Sequence, residues 1–435
     1  MVQGLLEYLL NAERLNEWFE SNNGIQYTRN LVFSSVVAIM FEVVCQIRKT
    51  VHVAYRKSDY INVSLTSLYN KINGIDTLTS AELVRHIGME AATLIKGMNA
   101  ENPDFLLGYR TKLLDGNCIE ASEHRIEVLR TTKSAALPGK SLVVFDPQTE
   151  LAMNIFPGED GHAQERLLLN KVSETIEEKD LWVADRNFCT QDFLFNIANK
   201  KAVFVIRKHQ QMPMHILGKE KFITENEMGT IYEQKVSLKS CYGEIHDARL
   251  IIVKLTKKTR NNDSELYILS NLPEEIADAL TIAEIYRKRW GIETAFQRLE
   301  AHFNSEINSL GYPKAALFGF CLALVAFNIY AVIMASLRAA HPKVNIKEEV
   351  SEYSIAEDIS TVYEGMIIAV DDDEWNRFRH LGDSEIIVLL IYLAKQVNLK
   401  KFKKNKRGLK KEKTPIKFDK KTPHVSTFKL LLNPA

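Results

Sequence analysis

The sequence predicts a mixed α/β fold, with a strand-rich centre flanked by helical regions. Three observations carry the prediction. The first hundred of the 435 residues show helical periodicity. Near residue 105 the pattern changes to short β-branched, apolar runs bounded by turn signals. Strands come first as a meander and then alternate with helices, the order of a mixed sheet with a β-rich insertion.

The length allows two or three domains and one sizeable core. With 46% hydrophobic and 26% charged residues, the chain falls among ordinary soluble globular proteins rather than disordered or fibrous ones. Five cysteines (Cys45, Cys118, Cys189, Cys241 and Cys321) are scattered, with no C-x-x-C. That fits a reducing compartment and argues against a disulfide framework or a zinc knuckle. The N-terminus carries no basic segment before its apolar residues, so no secretory signal is expected.

In chain order, "YTRNLVFSSVVAIMFEVVCQIRK" has long helical periodicity. "TSAELVRHIGMEAATLIKGMN" opens on a Thr79-x-x-Glu82 capping box, and Gly88 within it is a weak hint of a helix-turn-helix. "YRTKLLDGNCIE" reads as a strand ending in an Asp115-Gly116 turn. "SLVVFDPQTELAMNIF" reads as a hairpin turning at Asp-Pro-Gln-Thr. A helix over about 162–177 follows, then the short buried strand of "DLWVADRNF", stopped by Asp185. A helix from Gln191 and the strand "AVFVIRK" come next. Residues of about 208–265 alternate in the β manner, and "ELYILSNLP" is a further strand.

"IYRKRWGIETAFQRLEAHF", Ile285 to Phe303, is one amphipathic helix with an unusual arrangement. At about 100° per residue, Ile285, Ile292, Phe296, Leu299 and Phe303 form an apolar stripe. Tyr286, Arg289, Glu293, Gln297 and Glu300 form a second stripe beside it, where a surface helix would put its charges opposite. Ala315 to Leu337 holds no charged residue and is long enough to span a membrane. Asn328 and Tyr330 within it, and its place after the striped helix, favour a buried helix of the α/β core.

A helical region follows residue 338, and then a basic segment. Lys400 to Lys421 holds 12 Lys and Arg against two acids, while the rest of the chain holds 44 basic and 53 acidic residues. The segment reads equally as a solvated, unpacked tail or as a phosphate-neutralising arm. The expected units are thus 1–104, helical; 105–338, mixed α/β with an insertion at about 208–265; 339–398, helical; and 399–435, the basic tail.

Several motifs fail on inspection. "SAALPGKS" ends like a phosphate-binding loop, but Ser134 stands where the first Gly belongs and a strand follows. His162-x-x-Glu165 lacks the second His of a zinc-protease helix and reads as a surface helix start. "DDDE" at 371–374 reads as an acidic first turn, favoured by the helix dipole.

What remains is a set of carboxylates. Asp115 and Asp185 each end a strand, and Glu293 lies on the second stripe of the helix. Strand carboxyl ends form the usual crevice of an α/β sheet, and a helix packed there by its apolar stripe would turn the polar stripe into it. Three carboxylates so converging can hold a pair of magnesium ions, which take oxygen ligands. Such a pair serves an in-line displacement at phosphorus. The residues alone leave open a turn at Asp115, a capping loop at Asp185-Arg186-Asn187, and a surface ion pair between Arg289 and Glu293.

"IYRKRWGIETAFQRLE" resembles the Tyr-(2)-Arg-(3)-Glu-(6)-Lys signature of DDE transposases of the insertion-sequence-four family. "LLDGN" and "LWVADRNF" resemble the regions around that family's two catalytic aspartates, and "YILSNLP" the strand before its signature helix. The resemblance implies a ribonuclease-H-like core with a β-rich insertion between the second Asp and the Glu. It implies that Asp115, Asp185 and Glu293 are the catalytic, metal-binding triad for two Mg²⁺ ions, with Mn²⁺ an accepted substitute. Tyr286 and Arg289 become contacts to double-stranded DNA at the inverted-repeat ends. Arg207, at the end of a strand, is a further DNA contact or a plain solvated Arg.

The implied activity is cut-and-paste transposition: hydrolysis at each element end, then attack of the freed 3′-hydroxyl on target DNA. The excision can pass through a hairpin on the element end. Helices before residue 105 would bind the ends, a homodimer would hold two of them, and the protein would be cytoplasmic, on a prokaryotic nucleoid, with no membrane partner. One departure stands out, since Glu300 occupies the position of the signature Lys, where it would repel a phosphate. Arg298 or His302 would then stand in, or end binding would weaken. The alternatives are a catalytically impaired relative that binds ends without cutting, and a membrane-associated protein built on residues 315–337.

Overall fold

The computed structural model describes residues 1–23, 31–120, 127, 130, 136–240, 243–259, 262–404 and 425–432. Cys241 and most of the basic segment lie outside these residues. Six helices, α1 (Val2–Leu9), α2 (Ala12–Asn23), α3 (Phe33–Val44), α4 (Val51–Lys57), α5 (Leu65–Gly74) and α6 (Thr77–Gly97), form the N-terminal region. The cap of α6 is Asp76, whose side chain accepts from the Leu78 amide at 2.9 Å, so the box expected at Thr79 lies inside the helix. An earlier acceptor satisfied the first free amides. Gly88 marks no turn. A Cβ there would stand 3.2 Å from the Ala152 carbonyl, so glycine lets the unbroken α6 lie close against the sheet.

The sheet begins with β1 (Arg110–Ile119), which runs straight through Asp115 and Gly116. These pair with Val143 and Leu142, so the expected Asp-Gly turn is a misreading: the ladder continues and Gly116 has a different use. After the short β2 (Ala136–Leu137) come β3 (Gly139–Asp146) and β4 (Leu151–Gly158), the expected hairpin. A 3-10 turn at Glu165–Leu168 leads into α7 (Leu169–Glu174), then β5 (Asp180–Ala184), α8 (Gln191–Asn199) and β6 (Val203–Arg207).

The β-rich stretch gives β7 (His215–Ile216), β8 (Lys221–Asn226), β9 (Gly229–Lys239) and β10 (Ile245–Leu255), and β11 (Glu265–Ser270) returns beside β6. The insertion thereby extends the central sheet, whose order is β4-β3-β1-β5-β6-β11-β10-β9-β7 with β8 on β9. Strands β1, β5 and β6 are parallel, and the pairs on either side are antiparallel.

Successive side chains of β1 enter different cores. Leu113 joins the face covered by the long helices, and Leu114 the face covered by α7 and α8. Helices α9 (Ala279–Lys288) and α10 (Trp290–His302) lead to α11 (Pro313–Ala340) on the first face. The most apolar window of α11 is wholly buried, as a core helix should be. At its centre the Asn328 amide grips β4, with Oδ1 2.8 Å from the Ala152 amide and Nδ2 2.9 Å from the Ala152 carbonyl. Asn328→Leu would strand both buried groups, and denaturant unfolding should show a loss of about 3 kcal/mol.

Beyond α11 come α12 (Ile346–Glu349), α13 (Glu352–Ala369), α14 (Asp372–Arg379), begun by the acidic turn, and α15 (Asp383–Lys395). Of the basic segment only residues 400–404 are described, and their four lysines are exposed. Lys403 pairs with Val350, and β12 (Val425–Ser426) pairs with β2 ahead of α16 (Thr427–Leu432).

Candidate active site

The ladder between β1 and β5 ends at the Leu114–Ala184 pair. The next residues are Asp115 and Asp185, so two carboxylates lie side by side where β5 leaves the sheet. Alternation turns Asp115 to the same face as Leu113, under α10, whose Gly291 lies over Leu113. Helix α10 brings Glu293 to the same place. The three expected carboxylates therefore converge on one crevice at the strand ends.

The polar stripe reaches them because the helix is not one straight element. It runs from Ala279 to His302 with a seam at Arg289, where the Arg289 and Ile292 amides bond carbonyls three residues back. A 3-10 step within a helix re-aims its side chains. Here it sends Arg289 inward, to 5% exposure. One guanidinium nitrogen lies 2.6 Å from Glu293 Oε1 and another 3.5 Å from Asp115 Oδ2. The ion pair that the sequence allowed thus has a buried guanidinium and a half-buried carboxylate. Tyr286, equally buried, donates to Asp185 Oδ1 at 3.2 Å. Burial, and then the charge of Asp185, push its phenol up, so it stays protonated and remains a donor.

Burial raises the Asp115 carboxyl to about 6 from the ordinary 3.8, with Glu293 and Asp185 adding to the effect and Arg289 opposing it. The folded protein then keeps a proton that the unfolded chain has released between these two values. Its contribution to stability falls as pH rises from 3.8 to about 6. Asp115→Asn should flatten that slope in metal-free thermal denaturation at pH 4.5 and 7.

The donors are hard carboxylate oxygens, the kind a divalent ion takes. Among the described residues, no three His, Cys, Asp or Glu stand close enough to hold an ion as they are. The Arg289 guanidinium lies between two of the carboxylates and supplies the positive charge instead. The donors are of the chemical kind that a divalent ion takes, with Arg289 between two of them in this structure.

Residues 108–329, just over half of the chain, match the family model described as the transposase DDE domain. The chain belongs to that transposase family. No curated protein matches it. A DDE transposase acts on DNA, and the matched segment runs from the start of β1 into α11, so it includes every site residue named above.

The other expected residues of the transposase are placed as follows. Arg207 ends β6 and is tied to Asp263 at 2.7 Å, so it is not a plain solvated side chain. A groove of about 470 Å³ opens beside Tyr286, lined also by Trp290, Arg287, Lys257 and Leu255. Glu300 is exposed. Neither expected substitute for the signature Lys is at hand. Arg298 is held by Glu352 at 2.9 Å and Glu150 at 3.6 Å. His302 packs against Tyr330 and Tyr353, and burial, aided by Arg298, lowers its pKa.

Sequence reasoning missed Glu165. It begins a 3-10 turn, as a helix start might, but its carboxylate lies over Gly116 and accepts from Asn187 Nδ2 at 2.7 Å. The glycine after Asp115 was the available signal, read as a turn when it marks a close approach.

Proposed function

We propose that this transposase performs cut-and-paste transposition of an insertion sequence, with Asp115, Asp185 and Glu293 as metal-binding catalytic residues. The convergence of these three side chains from β1, β5 and α10 carries the reading. The pairing of β1 with an antiparallel β3–β4 hairpin on one side and parallel β5 and β6 on the other supports a ribonuclease-H-like core. The Tyr286, Arg289 and Glu293 spacing supports the insertion-sequence-four branch.

Bound Mg²⁺ or Mn²⁺ would polarise the attacking and leaving oxygens of the displacement. The chain's own residues do the rest. Tyr286 orients the Asp185 carboxylate. Arg289 holds Asp115 and Glu293 together without DNA, and a phosphate entering the crevice offers its guanidinium a competing partner. The groove beside Tyr286 combines an exposed Trp290 with Arg287 and Lys257, a surface suited to a DNA strand. Two element ends require a homodimer. The test is cleavage of a duplex carrying the DNA that flanks the gene. Nicking that needs Mg²⁺ and stops with chelator is expected, and cleavage indifferent to chelator overturns the metal reading.

The alternative of an impaired relative draws on one observation, the exposed Glu300 at the position of the signature Lys, with Arg298 held by Glu352; it bears on end binding and leaves the three carboxylates in place. Glu300→Lys should maintain or raise end binding in a gel-shift assay. A clear loss of binding contradicts the role given to this position.

A further inference from the structure

We infer that Glu165 is a positioning residue that sets Asp185 against Asp115 from behind the sheet, an inference that rests on the metal-binding reading of those aspartates. Glu165 and Arg166 grip one residue of the Asp185 loop. Asn187 Nδ2 donates to Glu165 Oε2 at 2.7 Å, and Arg166 Nε donates to the Asn187 carbonyl, also at 2.7 Å. Asn187 lies two residues after Asp185, in a 3-10 turn that Asp185 precedes without a side-chain cap of its own. Tyr286 holds the Asp185 carboxylate from the crevice side, and Asn187 is the residue by which the loop is held from the other side. The base of the grip is fixed as well, since Lys140 Nζ donates to the Ala163 carbonyl, tying the segment to β3.

Gly116 completes the device. Asp115 faces the crevice and Gly116 the opposite side of the sheet, where the Glu165 carboxylate occupies the space of the missing side chain. A Cβ at 116 would stand 2.6 Å from Glu165 Oε1. The nearest atoms belong to the end of a flexible side chain, so Gly116→Ala displaces the carboxylate before it distorts β1. The residue after one aspartate thus admits the group that positions the other. Partners beyond the ligands fix ligand orientation, and their loss typically costs 10–100-fold in metal affinity.

The experiment titrates Mn²⁺ into the full chain by electron paramagnetic resonance and records melting temperatures. Glu165→Ala should weaken Mn²⁺ binding by at least about tenfold, with melting little changed. Glu165→Gln keeps an acceptor for Asn187 and should restore binding. Gly116→Ala should match Glu165→Ala, and the double variant should be no worse than either, because both remove one contact. Unchanged Mn²⁺ affinity in Glu165→Ala, while Asp185→Ala loses binding, overturns the inference and leaves the metal reading standing. Additive losses in the double variant, or no recovery in Glu165→Gln, also overturn it. A wild-type chain that binds no Mn²⁺ ends both.

Discussion

Asp185→Asn should abolish cleavage at element ends while leaving end binding in place. The amide keeps the size of the carboxylate, and its carbonyl can still accept from Tyr286, so the crevice retains its shape. What it loses is the negative charge that a divalent ion requires. A metal supplies several kcal/mol of transition-state stabilisation, and each 1.4 kcal/mol or so is tenfold in rate. The expected fall is therefore on the order of a thousandfold or more, measured by single-turnover cleavage at saturating DNA. A variant within tenfold of wild type would remove Asp185 from the metal centre.

Arg289→Met lowers the stability of the metal-free protein and enlarges the stabilisation that Mn²⁺ confers. The guanidinium is almost wholly buried and compensates Asp115 and Glu293. Methionine fills similar volume without charge and leaves those carboxylates facing each other. Breaking a buried pair costs about 3–5 kcal/mol, and the partial exposure of Glu293 puts this case near about 3 kcal/mol. Because Arg289 no longer competes, ligand linkage predicts a larger rise in melting temperature at a fixed Mn²⁺ concentration. Equal shifts in the two proteins would show that Arg289 does not occupy the metal's place. End binding should weaken at the same time if Arg289 contacts a phosphate.

The strands were legible because their apolar runs are short and bounded, and the insertion announced itself by alternation. Its joining of the central sheet was not legible, since β11 reaches β6 across about sixty residues that carry no local signal of pairing. The second stripe of the signature helix was visible on the wheel. Its meaning was not, because a wheel assumes uniform geometry and the seam at Arg289 turns the side chain inward. Local motifs misled where tertiary contact decided. Gly116 looked like a turn and admits Glu165, Gly88 looked like the turn of a helix-turn-helix and admits a strand, and Thr79 looked like a cap although Asp76 came first. The carboxylates at 115 and 185 were found as candidates because each was read as ending a strand, where the crevice of an α/β sheet forms. Only the parallel register of β1 and β5 puts them side by side.

The central claim is that a metal held by Asp115, Asp185 and Glu293 meets the scissile phosphate. Sulfur substitution of each non-bridging oxygen of that phosphate tests it most directly, since Mg²⁺ coordinates sulfur poorly and Mn²⁺ tolerates it. At least one of the two diastereomers should be cleaved slowly in Mg²⁺ and recover in Mn²⁺. Equal cleavage of both in Mg²⁺, with no gain from Mn²⁺, would contradict it.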